Sequence, residues 1–216
     1  MKEIYFTEDT IDEQSLIFKQ RIDKYHKKRK WNLIPKKTAL LILDMQNFFL
    51  DSGSHAFIPS AAAIIPRINK LNEQIFQSGG KIIFTRHLNT DNNAMNMERW
   101  WRDILTNSNT LSDLSKDLRI KDNLIVHKSQ YDAFYKTNLE EILVNSEISQ
   151  LIISGVMTHL CCETTARSAF VRGFEVFFGI DTTATYNRDF HTSSLINLSH
   201  GFATPLLSDE IIKSLI

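Results

Sequence analysis

Three side chains of this sequence are of the types that carry out nucleophilic chemistry together. The only two cysteines, Cys161 and Cys162, stand side by side in ISGVMTHLCCETT. Asp44 closes the apolar run Ala39-Leu40-Leu41-Ile42-Leu43, and Lys128 stands just past Leu124-Ile125-Val126. A thiol, a carboxylate and an ammonium suffice for attack on a carbonyl: the carboxylate takes the thiol proton, and the cation stabilises the anions.

Adjacent cysteines cannot close a loop, and no third cysteine could pair with either, so both are expected as reduced thiols. A structural zinc site is not expected, because it would need a second ligand pair. Helix register separates the two thiols. With a helix starting near Cys161, Cys162, Ala166, Ala169 and Phe170 share one apolar stripe, and Cys162 is packing. Cys161 is rotated about 100° from that stripe. It lies at the helix N-terminus, where the dipole and free N–H groups favour a thiolate. Cys161 is therefore the expected nucleophile.

The elements that must position these groups follow from patterning. Short runs that are apolar on both faces predict strands at 39–43, 81–85, 124–126, 151–153 and 174–178. A sixth, at 203–206, contains Pro205 and is expected at an edge. Helical periodicity is predicted near 60–78, 137–146, 161–172, 189–199 and 208–215. Strands alternating with helices predict an α/β fold: a three-layer, Rossmann-like arrangement with a six-stranded, mostly parallel sheet and helices on both faces. In such sheets ligands bind beyond the carboxyl ends of the strands. Those ends carry Asp44, then Arg86 and His87, then Lys128, then the segment leading to Cys161.

Residues 1–36 read as a polar leader, and 37–216 as the catalytic domain. In the leader, Ile11, Leu16, Ile17, Ile22 and Tyr25 recur at helical spacing, predicting an amphipathic helix packed on the domain or on a partner subunit. Trp31 and Pro35 are expected to end it. The basic run from Lys24 to Lys30 reads as a solvated helix end. Region 86–120 lacks a clear pattern, and long excursions of that kind tend to serve function.

With 216 residues, 43% of them hydrophobic and 23% charged, the chain has the size and composition of one globular domain. Its formal net charge is zero, so no global field favours nucleic acid or an anionic membrane. No stretch approaches the roughly 20 apolar residues of a membrane span. The acidic start MKEIYFTEDTIDE lacks a signal peptide's apolar core, so a cytoplasmic location is expected.

LLILDMQNFF, VHKSQYDAF and SGVMTHLCCETTARSAFVRGFEV, in this order, resemble the three signature segments of the isochorismatase-like cysteine hydrolase superfamily. That superfamily includes nicotinamidases, N-carbamoylsarcosine and ureidoacrylate amidohydrolases, and isochorismatases. The resemblance covers about residue 37 to the C-terminus. It implies an Asp–Lys–Cys triad of Asp44, Lys128 and Cys161, and a cis peptide at Val156–Met157. It also implies an oxyanion hole built from the backbone N–H groups of Met157 and Cys161. The implied reaction is cleavage of a C–N bond, amide or ureide, in a small molecule through a thioester. No cofactor is expected, and a homodimer or homotetramer is.

Two departures qualify the resemblance. Nicotinamidases carry an Asp-x-His metal pair where this chain has His87-Leu88-Asn89, so no metal is expected here. Vinyl-ether-cleaving isochorismatases have Gly where Cys161 stands; an ether hydrolase with Asp44 as acid is thus one alternative, and a catalytically silent binding protein another. For substrate contact, His87 is expected from its place in the resemblance. Trp100, Trp101, Tyr131, Phe134 and His159 are expected from residue type and position. Arg86 and Arg99 could meet a substrate carboxylate, and at least one of Phe48 and Phe49 is expected in the core.

Overall fold

The computed structural model describes residues 1–25, 30–101, 103–120 and 124–215. Residues 26–29 of the basic run lie outside them. Six strands form one sheet: β1 (Thr38–Leu43), β2 (Lys81–His87), β3 (Leu124–Lys128), β4 (Gln150–Val156), β5 (Glu175–Ala184) and β6 (Thr204–Leu206). Their order is β3-β2-β1-β4-β5-β6 and every pairing is parallel. Every residue of β1 and β4 is buried, because helices cover both faces of the central strands and leave no polar face to alternate. Pro205 lies on the edge strand β6, as its missing N–H requires.

The helices are α1 (Ile11–Ile22), α2 (Asn47–Leu50), α3 (Ala61–Gln77), α4 (Asn96–Trp101), α5 (Leu139–Asn145), α6 (Glu163–Val171), α7 (Arg188–Gly201) and α8 (Ser208–Ser214). The two short ones, α2 and α4, had no periodic signal; a pattern needs more than two turns to show. Strand β5 runs to Ala184, well past the predicted 178. Its second half, Gly179 to Ala184, carries an Asp and two threonines, yet all of it is buried. Residue type pointed to a strand end there, and tertiary burial overrode it.

Successive crossovers run from β1 outward through β2 to β3, and from β4 outward through β5 to β6. The reversal falls between β1 and β4, and a crevice at the carboxyl end of such a pair is the usual ligand site of open α/β sheets. Leu43 of β1 pairs with Gly155 of β4, so Asp44 and the segment leading to Cys161 leave the sheet side by side. His87 pairs with Lys128 across β2 and β3.

The leader's helix packs on the domain, and its register corrects the predicted stripe. Its buried residues are Ile11, Ser15, Phe18 and Ile22, whereas Leu16 and Ile17 are about half exposed, at 49% and 46%. It ends at Ile22, well before Trp31 and Pro35. Tyr5 and Phe6, ahead of the helix, are fully buried in the same core.

Candidate active site

Asp44 occupies the first position after β1 with φ +50°, a left-handed conformation that Asp tolerates better than most residues. That turn directs its carboxylate into the molecule. Thr85 of β2 accepts the Asp44 N–H at 3.2 Å and donates its hydroxyl to Oδ1 at 2.6 Å. Oδ2 faces the Lys128 ammonium at 2.7 Å, with both side chains fully buried. The same ammonium donates to the Gln130 carbonyl at 2.8 Å and to Cys161 Sγ at 3.3 Å. The Asp44 carboxylate and Cys161 Sγ are both in contact with one ammonium. Three groups from separate strands thus meet at one point.

Cys161 and Cys162 take the two predicted places. Cys161 is 6% exposed and lines a cavity, whereas Cys162 is completely buried with its sulfur against the Ser154 carbonyl. The helix differs in detail from the expected one. A π turn, Thr158–Cys162, precedes α6, so Cys161 sits in a wide turn and not at the start of an α-helix. Ala166 and Ala169 are buried with Cys162, but Phe170, assigned to the same stripe, is 43% exposed. The Val156–Met157 peptide is cis.

Electrostatics correct the thiolate expectation. Burial pushes the Cys161 thiol up to about 12; the nearby Asp44 carboxylate adds to this and Lys128 opposes it. Desolvation outweighs a helix dipole once the sulfur leaves water, so the resting group is a thiol that needs a base. Burial also works against the Lys128 ammonium, but Asp44 and Cys161 outweigh it and raise its pKa. Lys128 is therefore a permanent cation.

Above Cys161 lies a cavity with about 590 Å³ of empty space, counted out to its open mouth. Phe48, Phe49, Trp101, Tyr131, Leu160 and Tyr186 supply most of its apolar wall, and His55, His87, Asn89 and Asp103 its polar part. Trp101 donates its indole N–H to the Tyr131 hydroxyl at 2.7 Å, joining region 86–120 to the segment after β3. Trp100 is 76% exposed and does not line the cavity: on the short helix α4 only one of two neighbouring rings can face inward. Phe134 is buried elsewhere, stacked on Phe174 at 6.0 Å between centroids. His159 is stacked on Phe190 at 4.3 Å and bonded to the Thr185 hydroxyl at 2.5 Å, beside the cavity and not in its wall. Arg86 is engaged by Ser112 and Asp113. Phe49 belongs to the core, Phe48 packs against it, and both line the cavity.

His87 is held between Asn89, whose Oδ1 is 2.9 Å from Nε2, and Lys128, whose Nζ is 3.5 Å from Nδ1. Burial, then the Lys128 charge, lower its pKa to about 4, so the ring is neutral. A metal of the nicotinamidase type does not fit these donors. One imidazole nitrogen is taken by an amide and the other faces an ammonium, and no group of three His, Cys, Asp or Glu residues that could hold a metal exists among the described residues.

Several site residues had no sequence signal of their own. Thr85 is one: its only mark is a polar residue closing an apolar run. Gln46 donates to the His87 and Ser112 carbonyls and accepts the His87 N–H, locking the ends of β1 and β2 together. Tyr186 lies beyond β5, where no strand end was expected to contribute.

Comparison with known proteins bears on this geometry. A family model described as the isochorismatase domain matches residues 38–210. Nicotinamidase 3 of Arabidopsis thaliana is 36% identical, over 84% of this chain and 90% of its own length. An isochorismatase of Bacillus subtilis (strain 168) is 28% identical over 89% of this chain, which spans only 62% of that relative. A solved cysteine hydrolase from Pseudomonas syringae pv. phaseolicola 1448A superposes with a TM-score of 0.82 at 25% identity, over 86% of this chain and 95% of that one.

Proposed function

Given that this chain belongs to the isochorismatase family of hydrolases, we propose that it cleaves the C–N bond of a small amide or ureide with Cys161 as nucleophile. The observation that carries this reading is the Lys128 ammonium in contact with both Cys161 Sγ and the Asp44 carboxylate, with Cys161 lining a cavity. In the proposed sequence, Asp44 takes the Cys161 proton and the sulfur bonds to the substrate carbonyl carbon. The Met157 and Cys161 N–H groups hold the oxyanion, a contribution on the order of 3 kcal/mol per donor. The intermediate collapses, the C–N bond breaks, and protonated Asp44 gives its proton to the leaving nitrogen. Asp44 then deprotonates a water that attacks the thioester, and Cys161 leaves and is reprotonated. Lys128 pairs with Asp44 at the start and balances the thiolate when it forms.

The largely aromatic wall suits a flat, uncharged amide, and the 36% identity to a nicotinamidase makes nicotinamide the first substrate to assay. The test measures ammonia release from nicotinamide and a panel of small ureides by wild type, Cys161→Ala and Cys162→Ala. Hydrolysis lost in the first variant and kept in the second supports the proposal; equal losses defeat it. Similarity to an isochorismatase adds one arm. Turnover of isochorismate that survives Cys161→Ala would point to ether cleavage with Asp44 as the acid.

A further inference from the structure

Residues 1–6 precede the span matched by the family model, yet they touch both walls of the cavity. On one wall, lined by His55 and Ala56, the Lys2 ammonium donates to the His55 carbonyl at 2.6 Å. Just beyond, the N–H groups of Tyr5 and Phe6 both donate to the buried Ser60 hydroxyl, at 2.9 and 3.1 Å. A second part of the wall is Tyr186, from the segment after β5. Its carbonyl accepts the Glu3 N–H at 2.8 Å, and its ring lies 4.8 Å from the Lys2 ammonium. The Glu3 carboxylate accepts the Arg188 N–H at 2.9 Å, and the Tyr5 hydroxyl accepts the Thr185 N–H at 2.9 Å. Two walls from distant parts of the chain are thus tied by one short segment.

Tyr5 also reaches the turn that carries the nucleophile. Its hydroxyl lies 3.3 Å from His191 Nδ1, and the same nitrogen lies 3.0 Å from the Thr158 hydroxyl. Thr158 follows Met157, which lines the cavity, and opens the π turn ending in Cys161 and Cys162. Tyr5, His191 and Thr158 are all buried, so these hydrogen bonds do not compete with water and hold one geometry.

We propose that residues 2–5 form a strap that sets the separation of the two cavity walls, with Tyr5 as a positioning residue that links the strap through His191 and Thr158 to the Cys161 turn. This rests on the cavity above Cys161 being the reaction site. Lys2 and Glu3 are exposed and add little to the core, so releasing them widens the mouth without unfolding the domain. The strap is a device for size selection.

The test uses the full chain and compares alkylation of Cys161 by iodoacetamide and by the bulkier N-ethylmaleimide at alkaline pH, each rate normalised to free cysteine. Cys162, fully buried beside it, reports unfolding through its own labelling. In the Lys2→Ala/Glu3→Ala double variant and in Tyr5→Phe, the N-ethylmaleimide to iodoacetamide ratio at Cys161 is expected to rise about fivefold, the scale of one lost intramolecular hydrogen bond, with Cys162 unlabelled. An unchanged ratio in the double variant overturns the strap, and so does a rise accompanied by equal labelling of Cys162. Because both of its substitutions are exposed, the double variant decides the matter even where Tyr5→Phe fails to fold. A responsive ratio in a protein that hydrolyses no amide would sink the proposed reaction and leave the strap; active hydrolysis with an inert ratio would do the reverse.

Discussion

At the residue scale, the site is a balance of buried charges. Asp44 and Lys128 are both fully buried at 2.7 Å, and removing one partner of such a pair leaves the other uncompensated at a cost of about 3–5 kcal/mol. Lys128→Met is therefore expected to lower the unfolding free energy read from urea melts by that amount, moving the midpoint down, and to abolish turnover. A midpoint within error of wild type would show that the pair is not the closed ion pair described above. Asp44, Lys128 and Cys161 were each legible in the sequence, because each ends or follows an apolar strand. Their protonation was not. Helix-end reasoning pointed to a thiolate, whereas burial pushes the thiol up to about 12, and burial is a property of the assembled chain.

At the element scale, the decisive contact is between β1 and β4. Gly155 has φ +104°, and a Cβ there would lie 2.1 Å from the Leu43 carbonyl oxygen and 2.6 Å from the Leu43 nitrogen. Only a residue without a side chain lets the strand that leads to Cys161 approach the strand bearing Asp44 so closely. Gly155→Ala combines left-handed strain with overpacking against backbone. It is expected to cost at least about 3 kcal/mol, visible as a lowered melting temperature or as insoluble expression; a melt like that of wild type would contradict the register of Leu43 against Gly155. The sequence showed the strands as apolar runs and their alternation with helices, which is enough for a parallel α/β sheet. It did not show that β5 continues through buried threonines, nor the two short helices near the cavity, since neither feature has a periodicity.

At the scale of the whole molecule, the N-terminal segment and the catalytic domain share one core. Phe18 of α1 packs edge-on to His191 at 4.7 Å and to Tyr5 and Phe6 at 5.7 Å each. Phe18→Ala is expected to destabilise the entire domain by about 3–5 kcal/mol, as a single shifted transition in urea; an early separate transition with an unmoved main one would mean the leader folds apart. Acid sensitivity is also global. Burial lowers His191 to about 3, and burial with the Lys128 charge lowers His87 to about 4, from 6.5. Between those values and 6.5 the unfolded chain binds more protons than the folded one. Stability is therefore complete above about pH 6.5 and falls as the pH drops toward the folded values, by up to about 1.4 kcal/mol per pH unit for each ring. Urea melts at pH 7, 6 and 5 read this slope, and a flat profile would show that neither ring is held neutral.

Local chemistry and periodicity are carried by neighbours along the chain, so the sequence alone determined the sheet, the family resemblance and the placing of Asp44, Lys128 and Cys161 at or beyond strand ends. The cavity wall and its ties depend on contacts between residues far apart in sequence. Trp101 faces inward and Trp100 outward, Phe134 stacks on Phe174, and Lys2 bridges His55 and Tyr186. None of these is encoded by spacing. Only packing in three dimensions chooses among side chains of the same kind, because burial, not type, decides which ring or thiol faces the cavity.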